Sequence, residues 1–357
     1  MVQLGAERDC AIDHRDWASI RARSARGSLR STRHNGGAMQ HGDAVEQAVS
    51  EPTVAGAPAR VAVIVTHYKS IPALRASLTS IRDHADQGRT EVIVADSEEQ
   101  PGTAEEVRAL VPSATFIGFE EDAGYAVSVG AALEATTAPF ILIINADVRI
   151  SEGMIDTLVG ALHSHPHLGL VAPVLRYDDG SLQDSAFTFY RPSTVLHRRT
   201  RTGRTAWGRA ALKRFAAPSR DIERALATRS GDPVESDWVL GAAIMVRRSA
   251  IDEVGPPATR YWMYFEDVDW CLRMWHAGWR VAVVPSTTAH HTYGRASRGK
   301  GPLTLWKNEM ARVHLRSGYR FFRSHGLRPS REPRGGSRIG QGPPEVRGAD
   351  EHGSAAR

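Results

Sequence analysis

The sequence is short of the features that mark secreted, disulfide-linked and membrane-spanning proteins. Its 357 residues include only two cysteines, too few for a disulfide framework, which favours a reducing cytoplasm. The longest apolar runs, at residues 140–144 and 239–246, are far shorter than the roughly 18–20 residues of a membrane span. Arg, Asp and Ser interrupt the N-terminus throughout, so it has no apolar signal-peptide core. A secreted or transmembrane protein is therefore not expected.

Two common phosphate-binding motifs are also missing. The first strand-to-helix turns contain neither GxGxxG nor GxxxxGK[ST], which disfavours a dinucleotide-binding Rossmann site and a P-loop. The composition that is present, 41% hydrophobic and 24% charged with 8 Trp, 8 Tyr and 9 Phe, is that of a globular protein. The length allows one large domain or two ordinary ones.

Charge is small in total but strongly segregated along the chain. The formal net charge is +5, yet residues 58–190 have a net charge of −10 and residues 191–229 have one of +9. Residues 230–270 return to −5, and residues 271–357 end at +11. A uniformly basic nucleic-acid-binding protein does not have this distribution, so we expect no nucleic-acid partner.

Composition divides the chain into one central domain and two tails. Residues 1–57 and 328–357 lack steady periodicity and cannot bury enough apolar surface to offset the entropy of ordering, which predicts disordered tails. Residues 58–327 form the predicted domain. Within it, the basic segment 191–229 is either a solvated, mobile insertion or a surface that attracts anionic lipid head groups or a polyprenyl-diphosphate acceptor, with nucleic-acid binding as the third interpretation.

Strand and helix patterns alternate through the first half of the domain. Short runs rich in β-branched residues predict buried strands at residues 61–66, 91–95, 114–119 and 139–144. Helical spacing between them implies an α/β fold with a mostly parallel central sheet flanked by helices. Further along, the pattern predicts a strand over 238–246, a helix over 265–277, a strand over 280–284 and a final amphipathic helix over 303–325.

Acidic residues follow the predicted strands and begin one predicted helix. Asp96 and Asp147 follow the second and fourth strands, whose ends lie at one edge of a parallel sheet. An Asp there is most often a turn residue, but carboxylates at this edge also suit a ribose, a base or a divalent cation shared with phosphates. Glu266, Asp267 and Asp269 exceed what helix capping needs, so one of them could serve as a general base.

Several short segments occur in an order that is typical of one enzyme family. They are Thr66-His67-Tyr68, Gly124-Tyr125-Ala126, Asn145-Ala146-Asp147, Trp238-Val239-Leu240-Gly241-Ala242, Phe265-Glu266-Asp267-Val268-Asp269 and His291. In this order they resemble family 2 inverting glycosyltransferases, and most closely the bacterial rhamnosyltransferase branch. The resemblance covers about residues 60–325. It implies a GT-A fold with a Rossmann-like nucleotide-binding half and an acceptor-binding half, a nucleotide-diphosphate sugar donor and a divalent metal, Mg²⁺ or Mn²⁺.

The resemblance also implies roles for the matching residues. Asp267, with Glu266 beside it, matches the catalytic base, and Asp147 and His291 match metal ligands. The nucleotide-sugar site is implied at the remaining positions, Thr66, Tyr68, Asp96, Asp122, Gly124, Asn145, Trp238 and Gly241. The segments that contain Asp96 and Asp122 depart from the usual family pattern, and this departure bears on the identity of the donor.

The expected reaction transfers a sugar, with L-rhamnose from dTDP-rhamnose as the leading donor. The acceptor is a hydroxyl of a glycan or of a polyprenyl-diphosphate-linked sugar in cell-envelope polysaccharide synthesis. Two alternatives stay open: a UDP- or GDP-sugar-dependent transferase that makes galactosyl, N-acetylglucosaminyl or mannosyl links, and a non-catalytic protein that binds through its basic segments. We expect a cytoplasmic protein, with an anionic membrane surface on the inner face as a further partner.

Overall fold

The structure is a computed structural model, which describes residues 60–292 and 309–332. The predicted N-terminal tail, residues 333–357 of the C-terminal tail and residues 303–308 of the predicted final helix lie outside these ranges.

Within the described ranges, nine strands form one central sheet in the order β3-β2-β1-β4-β10-β6-β11-β5, with β8 beside β11, and β7 and β9 pair separately. The strands are β1 (Val61–His67), β2 (Thr90–Asp96), β3 (Thr115–Gly118), β4 (Phe140–Asn145), β5 (Val148–Ile150), β6 (Leu168–Arg176), β7 (Ala186–Phe187), β8 (Val234–Glu235), β9 (Trp238–Val239), β10 (Ala243–Arg247) and β11 (Arg280–His291). Pairing is parallel from β3 to β4 and between β6 and β11. The antiparallel pairs, made by β10, β5 and β8, are confined to the second half.

Helices connect the strands and cover the sheet. They are α1 (Ile71–His84), α2 (Thr103–Leu110), α3 (Tyr125–Glu134), α4 (Met154–Ser164), α5 (Pro192–Arg199), α6 (Ala206–Phe215), α7 (Ala217–Thr228), α8 (Arg248–Val254), α9 (Glu266–His276) and α10 (Glu309–His325). Alternate residues of β1 enter two different apolar clusters, with Ile64 in one and Val63 and Val65 in the other. Burial on both faces explains the continuous apolar sequence of β1, and the predicted α/β fold is confirmed.

The segment predicted as one strand over residues 238–246 is interrupted. Strand β9 pairs with β7, whereas β10 pairs with β4 and β6, and residues 240–242 form a loop between them. The loop is held by hydrogen bonds outside the main ladder, from Leu240 N–H to Ser185 O at 2.8 Å and from Gly241 N–H to the Asp267 carboxylate at 3.3 Å. An apolar run indicates burial but not pairing, so the sequence did not reveal this break.

Strand β6 has no counterpart in the sequence predictions, although it lies between β10 and β11. Gly169 and Pro173 interrupt its pattern, and a proline removes a donor from the ladder of a central strand. The structure accommodates Pro173 beyond the end of the β10 pairing and opposite Val284, where the β11 ladder is interrupted by a register shift. After this shift β11 continues past its predicted end at residue 284 and reaches His291.

Residues 191–229 are mostly helical and contain α5, a 3₁₀ turn (Arg201–Arg204), α6 and α7. Phe215 and Ile222 are buried, so the segment packs onto the domain through apolar side chains. The solvated, mobile insertion that the sequence allowed is helical in the structure, with Arg201, Arg204, Arg209 and Lys213 exposed. None of the described helices is both long and apolar enough to cross a membrane.

Candidate active site

The carboxyl ends of β1, β2 and β4 lie side by side. Thr66 is in register with Ala95 of β2 and with Asn145 of β4, and its hydroxyl donates to Asn145 Oδ1 at 3.1 Å. Asp96 ends β2 at the same edge. Three of the residues implied for nucleotide binding therefore lie at one edge of the sheet, because parallel strands end on the same side.

Asp96 is wholly buried at this edge beside His67. His67 Nε2 accepts the Ser70 N–H at 3.0 Å, so the ring proton is on Nδ1, which lies 3.0 Å from Asp96 Oδ1. That approach is close in distance but poorly aligned, and neither carboxylate oxygen of Asp96 has a hydrogen-bond partner among the described residues. A buried carboxylate with open lone pairs is suited to accept a hydrogen bond from a ligand N–H.

Three loop residues surround this edge. Tyr68 is 46% exposed, and Lys69 Nζ lies 4.8 Å from its ring centre. Gly124 has φ of +74°, and a Cβ atom there would come within 2.6 Å of the Trp262 side chain, so only glycine fits. Asp122 Oδ1 accepts the Gly124 N–H at 3.0 Å, so its carboxylate stabilises the turn.

Asp147 and His291, which the sequence assigned to a metal, are neighbours. The antiparallel pairing of β11 with β5 brings them together: Ala289–His291 lie opposite Val148–Ile150, and Asp147 directly precedes β5. His291 Nδ1 lies 2.9 Å from Gln183 Oε1; an amide oxygen only accepts, so Nδ1 carries the proton. Nε2 then presents its lone pair 3.4 Å from Asp147 Oδ1. Two acceptors at this separation are suited to share a cation.

The protein alone does not complete such a site. Within residues 60–292 and 309–332, no group of three or more His, Cys, Asp and Glu side chains is placed to hold a metal ion. The spacing of Asp147 and His291 is nevertheless near the roughly 3 Å between adjacent ligands of a small octahedral cation. These two residues can therefore supply part of a coordination shell whose remainder comes from a substrate or from water.

Helix α9 begins with the two acids assigned to catalysis. Tyr264 and Phe265, just before it, both have left-handed backbone conformations with φ of +67° and +69°. Non-glycine residues adopt this conformation at a cost of about 1–3 kcal/mol each, and such residues concentrate at functional sites. The unusual backbone immediately before Glu266 and Asp267 sets the direction in which the helix enters the site.

Among the residues that the structure describes, Asp267 is held by backbone donors and by no cation. Its Oδ1 accepts the Val268 N–H at 2.8 Å and its Oδ2 accepts the Gly241 N–H at 3.3 Å. Burial raises the pKa of Asp267 to about 6, and these two hydrogen bonds partly oppose the rise. Burial, together with the charge of Asp267, also raises the pKa of Glu266 well above its usual range. A carboxylate with a pKa near 6 is suited to general-base catalysis near neutral pH.

Gly241 joins the acid pair to the sheet edge. Its carbonyl accepts the Tyr125 hydroxyl at 3.2 Å, while its N–H is bound by Asp267. The next residue, Ala242, accepts the Asn145 N–H at 2.9 Å, and Asn145 is two residues before Asp147. A short chain of contacts therefore connects the candidate base with the candidate metal ligands.

Trp238, predicted to line the pocket, is only 4% exposed. Its ring stacks on Phe187 at 4.8 Å and on Tyr190 at 5.5 Å between ring centres, and its indole N–H donates to Thr188 O. Tyr190 in turn lies 5.0 Å from Phe265. Trp238 therefore belongs to an aromatic layer that supports the start of α9 from behind.

Asp269, two residues after Asp267, has the opposite environment. Its buried carboxylate contacts Arg260, Arg273 Nε at 2.9 Å, His325 Nε2 at 2.7 Å and the Tyr261 hydroxyl at 3.3 Å. Burial by itself favours a higher pKa, but the hydrogen bond with His325 and the charges of Arg273 and Arg260 outweigh it and hold the pKa of Asp269 below its usual range. This cluster fastens α9 to α10.

Two residues of the site were absent from the sequence-based set. Gln183 lies 108 residues from His291 and carries no motif, so nothing in the sequence could have found it. Tyr125 lies within the Gly-Tyr-Ala segment, and its hydroxyl reaches Gly241. Burial, with the charges of Glu266 and Asp267, raises the pKa of Tyr125 well above its usual range, so Tyr125 is a neutral hydrogen-bond donor.

Comparison with known proteins shows the family of the chain. Residues 62–217 match the family described as glycosyl transferase family 2. Over 261 residues the chain is 30% identical to the N-acetylglucosaminyl-diphospho-decaprenol L-rhamnosyltransferase of Mycobacterium tuberculosis, covering 67% of this chain and 78% of that protein. The chain belongs to glycosyltransferase family 2. The rhamnosyltransferase-like resemblance of the sequence is confirmed.

Further relatives of this glycosyltransferase are more distant or shorter in overlap. It is 34% identical over 85 residues to the rhamnosyltransferase WbbL of Escherichia coli, covering 24% of this chain and 30% of that one. A mannosyltransferase from Pyrobaculum calidifontis, solved in complex with GDP-Man and Mn²⁺, is 18% identical, with a TM-score of 0.46, over 77% of this chain and 78% of the other. The family match and the sheet together confirm the GT-A fold.

Proposed function

We propose that this glycosyltransferase moves L-rhamnose from dTDP-rhamnose to a hydroxyl of a polyprenyl-diphosphate-linked sugar, with Asp267 as the catalytic base. The observation that carries the proposal is the Asp267 carboxylate, which has a pKa near 6 and is joined by Gly241 and Ala242 to the strand end that precedes Asp147. Support for the sugar and for the acceptor comes from the mycobacterial relative, whose name specifies both rhamnose and a decaprenyl diphosphate.

In the proposed reaction, Asp267 removes the proton of the acceptor hydroxyl as its oxygen bonds to the anomeric carbon of the donor. The bond from that carbon to the phosphate oxygen breaks, and its electron pair leaves with the nucleoside diphosphate. A single displacement inverts the anomeric centre and needs no covalent enzyme intermediate. Cys271, the free cysteine of the described chain, is buried with a thiol pKa raised to about 12 by burial, in keeping with this absence.

Asp147 and His291 would hold the divalent metal. The carboxylate oxygen and the imidazole nitrogen, 3.4 Å apart, fit two positions of an Mg²⁺ or Mn²⁺ shell, and Gln183 fixes the required tautomer of His291. When bound, the metal supplies positive charge that stabilises the departing diphosphate. Asp147, a third exposed, lies at the open side of the pair, where a diphosphate could approach.

The nucleotide would lie along the ends of β1, β2 and β4. The open lone pairs of buried Asp96 fit the N3–H of thymine or uracil, and the exposed Tyr68 ring offers a surface beside it. Guanine also presents an N–H, at N1, beside its 2-amino group, so Asp96 alone does not separate the two kinds of donor; the choice of thymidine rests on the rhamnosyltransferase relatives. Thr66 and Asn145 complete the edge through their mutual hydrogen bond.

Thermal unfolding with nucleotides tests the donor and the metal together. We expect dTDP with Mg²⁺ or Mn²⁺ to raise the melting temperature more than UDP does, and GDP to have no effect. Asp147→Ala and His291→Ala should each abolish the metal-dependent part of the shift. Asp156→Ala is the matched control and should keep the full shift. It removes an exposed carboxylate of α4 that is paired with Arg89.

A transfer assay then tests the acceptor. dTDP-rhamnose is offered with a synthetic polyprenyl-diphosphate-linked N-acetylglucosamine, and the product is analysed for the anomeric configuration of the new bond. Inverted linkage to this acceptor is the expected result. Stabilisation by GDP alone, or transfer only from a UDP- or GDP-sugar, would overturn the proposed donor.

A further inference from the structure

The α5–α6 hairpin, residues 192–215 with the 3₁₀ turn between the helices, contains a surface that the proposed reaction does not use. It contains seven Arg and Lys residues and no Asp or Glu. An excess of one charge in so short a segment creates a local positive potential. The rest of the domain before it is acidic, with a net charge of −10 over residues 58–190.

Four cations of the α5–α6 hairpin have no acidic partner among the residues that the structure describes. Arg201, Arg204, Arg209 and Lys213 are all exposed, and in the described part of the chain none of them makes a salt bridge to an acid. Farther along the same basic segment, Arg224 is paired with Asp221 at 2.9 Å, which shows the contrast. The unpaired cations therefore remain available to an anionic partner.

Two large apolar side chains are exposed in the α5–α6 hairpin, among its basic residues. Trp207 of α6 is 65% exposed and Leu196 of α5 is 51% exposed. The Trp207 ring lies edge-on against His197, the neighbour of Leu196, with 4.7 Å between ring centres, so the two helices bring these side chains to one region. Indole rings beside basic residues are typical of helices that lie at the boundary between lipid head groups and acyl chains.

The buried side of the α5–α6 hairpin is attached close to the active site. Phe215, at the end of α6, packs against Trp238 and Tyr190, with ring centres 6.3 Å and 4.8 Å away. Tyr190 contacts Phe265, the residue before Glu266. One aromatic layer therefore separates the hairpin from the helix that carries the candidate base.

We infer that the α5–α6 hairpin docks this enzyme on an anionic phospholipid bilayer. Trp207 and Leu196 enter the head-group region, while Arg201 and Arg204 contact lipid phosphates. The role of the docking rests on the proposed function, because a polyprenyl-diphosphate acceptor lies in such a bilayer. A single-stranded nucleic acid is disfavoured as the occupant, since its recognition uses several stacked aromatic rings and this hairpin exposes one.

Flotation of the full chain with lipid vesicles tests the inference. Vesicles of phosphatidylcholine mixed with phosphatidylglycerol should bind the protein at low salt and release it at high salt, and vesicles of phosphatidylcholine alone should bind it weakly. The double variant Arg201→Gln/Arg204→Gln should bind the anionic vesicles about thirtyfold more weakly, at about fivefold for each arginine. Trp207→Ala should weaken binding at low salt, where the wild type binds, because it removes the exposed apolar ring.

Matched controls separate docking from general charge and apolarity. Arg82→Gln/Arg108→Gln removes two exposed arginines from α1 and α2 and should bind like the wild type. Leu327→Ala removes a side chain that is 62% exposed, close to the exposure of Trp207, and should also bind like the wild type. Circular dichroism of each variant checks that it folds, and the salt dependence of the wild type tests the inference without any variant.

The docking inference would be overturned by no binding to anionic vesicles, by equal binding to both kinds of vesicle, or by unchanged binding of Arg201→Gln/Arg204→Gln. Preferential binding of a single-stranded oligonucleotide over anionic vesicles would also overturn it. The nucleotide titration of wild-type protein without vesicles is independent of these results. If the protein binds vesicles but not dTDP, the donor proposal is wrong and the docking inference is retained. If it binds dTDP but not vesicles, only the docking inference is wrong.

Discussion

Asp267 and Asp269 lie two residues apart at the start of α9, and their surroundings have opposite effects on the pKa of the carboxyl group. Asp269 is surrounded by Arg260, Arg273 and His325, which hold its pKa below the usual range despite complete burial. Asp267 has two backbone N–H donors and, within residues 60–292 and 309–332, no cation beside it; burial raises its pKa to about 6. The same helix turn thus contains one carboxylate stabilised as an anion and one kept ready to accept a proton.

This contrast separates stability from catalysis. The negative charge of Asp269 is balanced by the neighbouring cations, so this carboxylate connects α9 with α10 and does not take up a proton near neutral pH. Asp267 is partly destabilised in its charged form, which suits a base but weakens the fold. Four experiments test the contrast between Asp267 and Asp269.

The largest effect is expected from Asp267→Asn. An amide cannot accept the proton of the acceptor hydroxyl, so transfer should fall by about 10²–10⁴-fold while the thermal shift caused by dTDP stays near the wild-type value. Transfer assays and nucleotide titrations on the same preparation measure both quantities. Asp156→Asn, on the exposed face of α4, should leave both unchanged. Wild-type turnover of Asp267→Asn would show that another group is the base.

Asp269→Asn should instead damage the fold. Removing the buried anion leaves Arg260 and Arg273 without their counter-charge, which lowers the free energy of unfolding by about 3–5 kcal/mol. Because the pKa of Asp269 is lowered, its contribution is present above the unfolded pKa near 4 and is lost as the pH falls further. Denaturant unfolding measures the change, with the exposed Asp221→Asn as control. A loss below 1 kcal/mol would remove the structural role of Asp269.

The pH dependence of stability is expected to separate the two aspartates further. The pKa of Asp267 is about 6 in the folded protein and about 4 when unfolded, so the folded state takes up this proton first. The wild type should therefore lose stability relative to Asp267→Asn as the pH rises from 4 to 8, by about 2 kcal/mol. Transfer should rise over the same interval as the base ionises. Unfolding curves at four pH values suffice; parallel profiles for the two proteins would refute the raised pKa.

Gly241→Ala should have the smallest effect. The new Cβ would lie 3.3 Å from Asp267 Cβ and 3.5 Å from the Tyr125 hydroxyl, which displaces the carboxylate slightly. We expect about tenfold slower transfer and a change in unfolding free energy of less than about 1 kcal/mol. Gly160→Ala on α4, where no atom lies within 4 Å, is the control and should retain full activity. Unimpaired transfer by Gly241→Ala would mean that this loop does not position the base.

Much of the fold was predictable because local pattern and global topology agree in the first half of the domain. The runs around Val63 and Ile93 are apolar on both faces, as strands of a covered parallel sheet must be. The second half was harder to predict. Gly169 and Pro173 interrupt the apolar pattern of β6, so this central strand was not predicted. The apolar run over residues 238–246 contains a loop whose hydrogen bonds go to distant residues, and the sequence pattern does not indicate that loop.

The candidate site divides in the same way. The family resemblance was enough to propose Asp147, Asp267 and His291 as site residues, and their roles stay predictions. It could not find Gln183, which orients the His291 ring, because a contact over 108 residues leaves no periodic trace. It also did not distinguish the roles of Asp267 and Asp269, which are both acids in one helix turn.

The α/β class could be predicted from local periodicity, and the family from the resemblance of short segments in their order along the chain. What each acid can do could not be predicted in this way. The pKa of a carboxylate depends on burial and on charges within a few ångströms, and those neighbours come from α10, the loop after β9 and the segment before α9. The same holds for the basic segment. Its cations can be counted in the sequence, but the exposure of Trp207 among them is visible only in the folded hairpin.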